Sequence, residues 1–504
     1  MLWRRIRDAL LVVILWAGLV WLVFTVGNHL FDTREQDKLL RPLVPPEPRQ
    51  TTPAPVLPPS ISAQYTMKVK YQPVEHFLEA RVSADVFNQT GRVLSNLYFH
   101  FYPAAFNKAD TAPLPRTGDA PQANWQPGQG VIKQIRLNGQ NCLFKLEGTQ
   151  LNILLPALFQ HGQKLSLQVD FTIKLPQTTG RMGYQGEESR LGNWYPILAV
   201  YDELGWNLDP YYAVGDPFYS ETGDYLVTLE VPVEEIVGAT GYLEKAQFKG
   251  KNKILTWRAD NVRDFAWVSS SRYSESIEKG SPVIYSLYYP EHGKAGERVL
   301  KIARQVLNFC ENYIGPYPYP EVRIAEVDFL FGGMEYPNLV YIAKKLYENP
   351  EDEFFEFAVA HELIHQWWYN IVGNDQVEES WLDEALTNYT TYLYIADAYG
   401  LEKAREIKAR FLGKGRAEPD MRVKPLNQYR DMKEYSKLVY QQGALVLDLL
   451  KEQVGSEKFQ DILQRYYHDF QYKNARIRDF IDIVEEITGN RWDDFFARYL
   501  YNQR

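Results

Sequence analysis

His361 and His365 stand four residues apart in His361-Glu362-Leu363-Ile364-His365, and Glu384 follows after eighteen further residues. On a helix the two imidazoles project from one face and can hold one metal ion, with Glu362 beside them. Glu384 completes three protein ligands and leaves a position open for water, which separates a catalytic zinc site from a closed structural one. Two imidazoles and a carboxylate, without soft thiolates, favour one zinc ion. Zinc pulls the pKa of bound water down toward about 7, so Glu362 can act as general base in an attack on a carbonyl. The HExxH pattern is short, and a histidine pair can equally be packed in a core. The spacing of Glu384 from His365 is what raises it above an ordinary solvated helix carboxylate.

These residues need helices. The spacing predicts one over 354–370, with Asn349 as cap, Pro350 at the first helical position and Glu351, Asp352 and Glu353 at the positive end of the dipole. Ser380 with Asp383 reads as a near capping box for the next helix, and Gly400 as its end. Upstream, Val299, Ile302, Val306, Leu307 and Cys310 line a helix ending near Gly315, and residues 323–328 read as a short strand. Later helices are expected over 435–452, 457–469, 478–486 and 492–500. From 61 to about 273 the texture is β instead: Leu165, Leu167, Val169, Phe171, Ile173 and Leu175 alternate with polar residues, as a strand with one wet face requires. The expectation is an antiparallel β-sandwich or saddle over 61–275, followed by a mainly helical catalytic domain over 276–504.

Residues 9–26 form an uncharged run of eighteen, preceded by Arg4, Arg5 and Arg7. That run is long enough to span hydrocarbon. It reads as an uncleaved signal anchor over 9–27, with residues 1–8 cytoplasmic by the positive-inside tendency and the rest of the chain extracytoplasmic. The lipid bilayer is then a partner. Residues 28–60 are a proline-rich spacer holding the body off the membrane. The 504 residues, 45% of them apolar, call for two or more domains. A net charge of -9 offers no basic footprint for nucleic acid. Cys142 and Cys310, far apart, form neither a disulfide framework nor a metal site. No protein partner is evident.

HExxH with the distal Glu384, preceded by Gly332-Gly333-Met334-Glu335 and followed by Trp381-Leu382-Asp383-Glu384 and Tyr440-Gln441-Gln442-Gly443, resembles the gluzincin aminopeptidase family that includes membrane alanyl aminopeptidase and leukotriene hydrolase. The resemblance covers roughly 61–504. It implies a thermolysin-like catalytic domain and a peptide substrate. It also implies that Glu335, with Gly332, Gly333 and Met334, binds the free α-amine, and that Tyr440, assisted by Tyr435, donates to the oxyanion. The chain departs from the family at Tyr336, where Asn is usual, and at Gln442, where Lys is usual. It stops at Arg504, before the helical domain that closes the cavity in many relatives, so a more open site is expected. The resulting expectation is a membrane-anchored zinc aminopeptidase. An open-cleft endopeptidase or other zinc hydrolase is the enzymatic alternative. An inactive peptide-binding or assembly protein is the third reading, and the complete set of His361, Glu362, His365, Glu384 and Tyr440 argues against it.

Overall fold

Strand Lys164–Lys174 shows how the alternation is used: Leu167, Val169, Phe171 and Ile173 are buried while the residues between them face outward. Burying each such side chain is worth about 1.5–3 kcal/mol over leaving it in water. The computed structural model describes residues 60–109, 111–113, 125–413, 415–419 and 422–500. The expected tail, anchor and nearly all of the spacer lie outside the described residues. No helix among the described residues is long and apolar enough to cross a membrane.

The β-rich part is built on an eight-stranded sheet in the order Tyr242–Lys249, Asn252–Val262, Gly223–Pro232, Ile61–Gln72, Phe77–Asn88, Lys164–Lys174, Gln129–Leu137 and Gln140–Asn141. Two four-stranded sheets accompany it. The sheet is not purely antiparallel as expected: Ile61–Gln72 pairs in parallel with Gly223–Pro232, with Gln64 opposite Asp224. Pairing over that sequence distance leaves no signature in either strand's own alternation, so only the fold reveals it.

Beyond residue 273 the chain forms more sheet than its sequence suggests. Where the sequence suggests one short strand, a mixed five-stranded sheet runs Ser274–Glu278, Val283–Tyr288, Glu321–Val327, Leu339–Ala343 and Gly333–Met334. Its inner strands hide the alternation because both faces are covered; every residue of Leu339–Ala343 is buried. The sheet ends on Gly333–Met334, which pairs on one side only.

Helix α1 (Gly293–Tyr313) lies between the second and third of these strands in the chain, and α2 (Glu353–Ile364) and α3 (Trp381–Ile407) follow the sheet, with α2 in contact with both others. From Phe355 onward every residue of α2 is buried, as its nearly unbroken apolar sequence demands. It is shorter than the expected 354–370. Residues 349–352 form a turn, and Asp352 rather than Asn349 caps α2 by accepting from the Phe354 N–H at 2.7 Å. At the other end the Asn370 N–H bonds the His365 carbonyl and Tyr369 takes φ 143°, which no helix accommodates. Gly400, at φ 85°, breaks α3 as expected.

Candidate active site

Although α2 ends at Ile364, His365 keeps helical dihedrals (φ -59°, ψ -16°), so both imidazoles still face the same way. Their Nε2 atoms are 3.1 Å apart. Glu384, on the first turn of α3, places Oε2 at 3.3 Å from His361 Nε2 and 3.4 Å from His365 Nε2, yet that buried oxygen accepts no hydrogen bond. Two imidazole nitrogens and a carboxylate oxygen gathered this closely form a donor set for one cation. Tetrahedral zinc with bonds near 2.0–2.1 Å separates its ligand atoms by about 3.3 Å, so the donor set fits zinc. Against the burial that would raise it, the close approach of the two histidine rings holds the Glu384 carboxyl far below the usual carboxylate range.

The orientation of His365 comes from a residue that sequence reasoning missed in this role. Asp383 Oδ1 lies 2.6 Å from His365 Nδ1, and the same nitrogen faces the Trp368 carbonyl at 3.0 Å and Thr387 Oγ1 at 3.1 Å. With Nδ1 occupied, Nε2 is left for the metal. Ser380 makes no side-chain cap bond, and Asp383 serves the histidine instead of a capping box. The rule that a ligating histidine leans on a carboxylate could have found it, since Asp383 directly precedes Glu384.

Glu362 projects from α2 against the edge strand, where a Cβ on Gly333 would lie 2.4 Å from its Cγ. Burial, with Glu384 and Asp216 adding to it against the pull of His365, pushes the Glu362 carboxyl up to about 8. At the end of the strand Glu335 is 4% exposed, its Oε1 has no hydrogen-bond partner, and its carboxylate clusters with His365 and Asp383 within 4.8 Å. Burial and the nearby Asp216 raise the Glu335 carboxyl well above its ordinary value. Together with His361, His365 and Glu384, the residues Glu335, Glu362, Gly332, Gly333 and Tyr440 line one cleft of about 430 Å³.

Met334 is buried behind this wall, its Sδ accepting from Arg181 Nε at 3.1 Å. Arg181 lies between the rings of Phe218 and Phe331 and donates to Asp216 and to the Gly215 carbonyl. Nothing in the local sequence marks Arg181 or Asp216, since the β-rich part brings them to the cleft from far upstream. Tyr336 is fully buried and points away, its hydroxyl 3.3 Å from Asn193 Oδ1 and hard against Gly192. The side chain at this position of departure therefore packs against the β-rich part and does not line the cleft.

Tyr440 rides on a π-helical stretch, Ser436–Gln442, which places its hydroxyl on Glu384 Oε1 and its ring 5.9 Å from His361. Gly443 permits this, because a Cβ there would lie 2.6 Å from the Ala385 Cβ on α3. Tyr435 is buried outside the cleft lining, its ring edge-on to Tyr440 at 5.8 Å.

Residues 298–499 match the peptidase family M1 domain. The chain is 27% identical over 235 residues to aminopeptidase M1-C of Oryza sativa subsp. japonica and 29% identical over 226 residues to the glutamyl aminopeptidase of Sus scrofa. These alignments take in 43% and 40% of this chain but only 26% and 23% of those proteins. In fold it is similar to the M1 zinc metallopeptidase of Deinococcus radiodurans, with a TM-score of 0.62 at 18% identity, covering 87% of this chain and 93% of that one. The match of residues 298–499 to the peptidase family M1 domain and the shared fold both support the gluzincin aminopeptidase family that the sequence resembles.

Proposed function

We propose that the protein is a zinc aminopeptidase that removes the N-terminal residue from peptides. The observation that carries this reading is Glu335, a buried carboxylate with an unpartnered oxygen in the same cleft as the metal ligands. Desolvated and unpaired, it favours a cation, and a substrate ammonium satisfies it with a charge-assisted hydrogen bond. Placing the amine there puts the first peptide bond beside Glu362. His361, His365 and Glu384 would hold the zinc ion, which would supply Lewis acidity toward water and the carbonyl. Glu362 takes the proton of the attacking water and returns it to the leaving nitrogen. Tyr440 turns its hydroxyl from Glu384 toward the oxygen that gains charge, and Asp383 keeps His365 in one tautomer.

Digestion of a peptide library with free N-termini alongside its N-acetylated copy tests this. Release of single N-terminal residues from the free peptides alone is expected, and Glu335→Gln should raise KM for them while zinc stays bound. Equal cleavage of both libraries would move the assignment to an endopeptidase.

We also propose that residues 9–27 anchor the enzyme in a membrane with the catalytic part outside the cytoplasm, on the strength of the uncharged run and the arginines before it. Alkaline carbonate extraction should leave the full chain in the membrane fraction, and external protease should reach the catalytic part in intact cells. Release by carbonate would refute the anchor.

A further inference from the structure

Resting on the aminopeptidase reading, the edge strand fixes the order in which a substrate meets the cleft. Gly333–Met334 pairs on one side with Leu339–Ala343, and its other edge has no partner strand among the described residues, so an extended peptide can pair along it. Three stations follow one another. Glu335 stands at one end, Glu362 presses on Gly333, and Gly332 faces Phe354, whose Cζ would lie 3.8 Å from a Cβ built there. An extended chain advances about 3.3 Å per residue. With the amine on Glu335 and the first carbonyl beside Glu362, the residue after the scissile bond falls on the Gly332 side, against Phe354.

What waits there is aromatic. Phe354 and Phe357, from the helical turns just before His361, meet Phe411 at ring separations of 5.3 and 5.0 Å, and each other at 6.4 Å. The wall begins at the metal ligand itself, because the Phe357 ring stacks on His361 at 6.2 Å. Phe411 is brought in by the π-helical stretch Lys408–Leu412, beyond the break in α3. A core cluster would be sealed, whereas Phe354 and Phe411 are only partly buried and all three rings line the cleft. Arg410 at the rim is already paired with Glu353 at 3.0 Å.

We infer that Phe354, Phe357 and Phe411 select the residue that follows the scissile bond, favouring aromatic and large aliphatic side chains and disfavouring glycine and acidic residues. The test uses the full-length zinc-loaded enzyme and tripeptides with a randomised first residue, Phe, Leu, Gly or Asp second, and Ala third. Burial of a phenyl ring predicts kcat/KM roughly ten- to a hundredfold higher for Phe than for Gly in the second position. Phe411→Ala, and separately Phe354→Ala, should bring that ratio within about threefold while the ranking of first residues persists. Calorimetric Kd values on the Glu362→Gln protein should show the same Phe-over-Gly preference without turnover. Equal kcat/KM for Phe and Gly peptides in the parent, or a ratio kept by both variants, overturns the inference and leaves the aminopeptidase reading standing. Failure to cleave any peptide with a free amine overturns both.

Discussion

The side chain of Glu362 rests on the bare Cα of Gly333, so closely that a methyl group there would lie 2.4 Å from Cγ and 2.6 Å from Cδ and Oε1. A real Cβ cannot occupy that space, and the Glu362 carboxylate is the softer of the two neighbours. Gly333→Ala should therefore displace the base by a few tenths of an ångström to an ångström while the fold and the metal ligands stay in place. Misplacement on that scale costs about a hundredfold in rate. The expected outcome is a loss of that order in kcat, with zinc content by atomic absorption unchanged. Full activity in the variant would show that Glu362 does not need this seat.

Asp383 would act on a bound metal through His365, whose Nδ1 lies 2.6 Å from Asp383 Oδ1. Asp383→Asn keeps the shape and removes the charge that fixes the Nδ1 proton, so zinc affinity should fall about 10- to 100-fold. Titration against a fluorescent chelator measures this directly. An unchanged affinity would assign the orientation of His365 to Trp368 and Thr387 instead.

The chemistry was legible in the sequence because it is local: the spacing of two histidines on a helix, a glutamate eighteen residues on, and glycines before Glu335. The helices of the catalytic half were legible for the same reason, since their apolar period is written within each segment. The five-stranded sheet was largely hidden. A strand such as Leu339–Ala343, buried on both faces, has no alternation. The end of α2 was placed too late because residues 365–370 continue the apolar pattern while the chain leaves the helix through Tyr369. Arg181, Asp216 and Phe411 reach the cleft only through tertiary structure, and no spacing rule connects them to His361.

Asp264 carries a pH dependence away from the zinc site. It is 2% exposed, accepts from the Tyr369 hydroxyl at 3.0 Å and Asn193 at 3.3 Å through Oδ2, and leaves Oδ1 without a partner. Burial pushes its carboxyl from 3.8 up to about 7, against the pull of those bonds and of Arg263. A carboxyl raised on folding contributes stability that is complete below its unfolded pKa and is lost as pH climbs through the folded value. The window thus runs from about pH 4 to pH 7, and the full span corresponds to roughly 4 kcal/mol. Asp264→Asn removes the titration, so its stability relative to the parent should rise between pH 4 and pH 8 in urea denaturation. A difference that stays flat across the window would mean that Asp264 is ionised in the folded protein.

Tyr440 offers the sharpest separation of binding from chemistry. Its hydroxyl sits on Glu384 Oε1, the ligand oxygen turned away from the histidines. Tyr440→Phe removes one donor and keeps the ring that lies beside His361. If the hydroxyl leaves Glu384 to meet the charge that develops on the carbonyl oxygen, kcat should drop about 10²- to 10³-fold with KM nearly constant, the pattern of an interaction made only in the transition state. If it serves only to hold Glu384, zinc affinity should weaken and kcat at saturating zinc should return to the parent value. Measuring kcat with excess zinc, beside the chelator titration, decides between the two. A fall in kcat that excess zinc does not restore is the expected result.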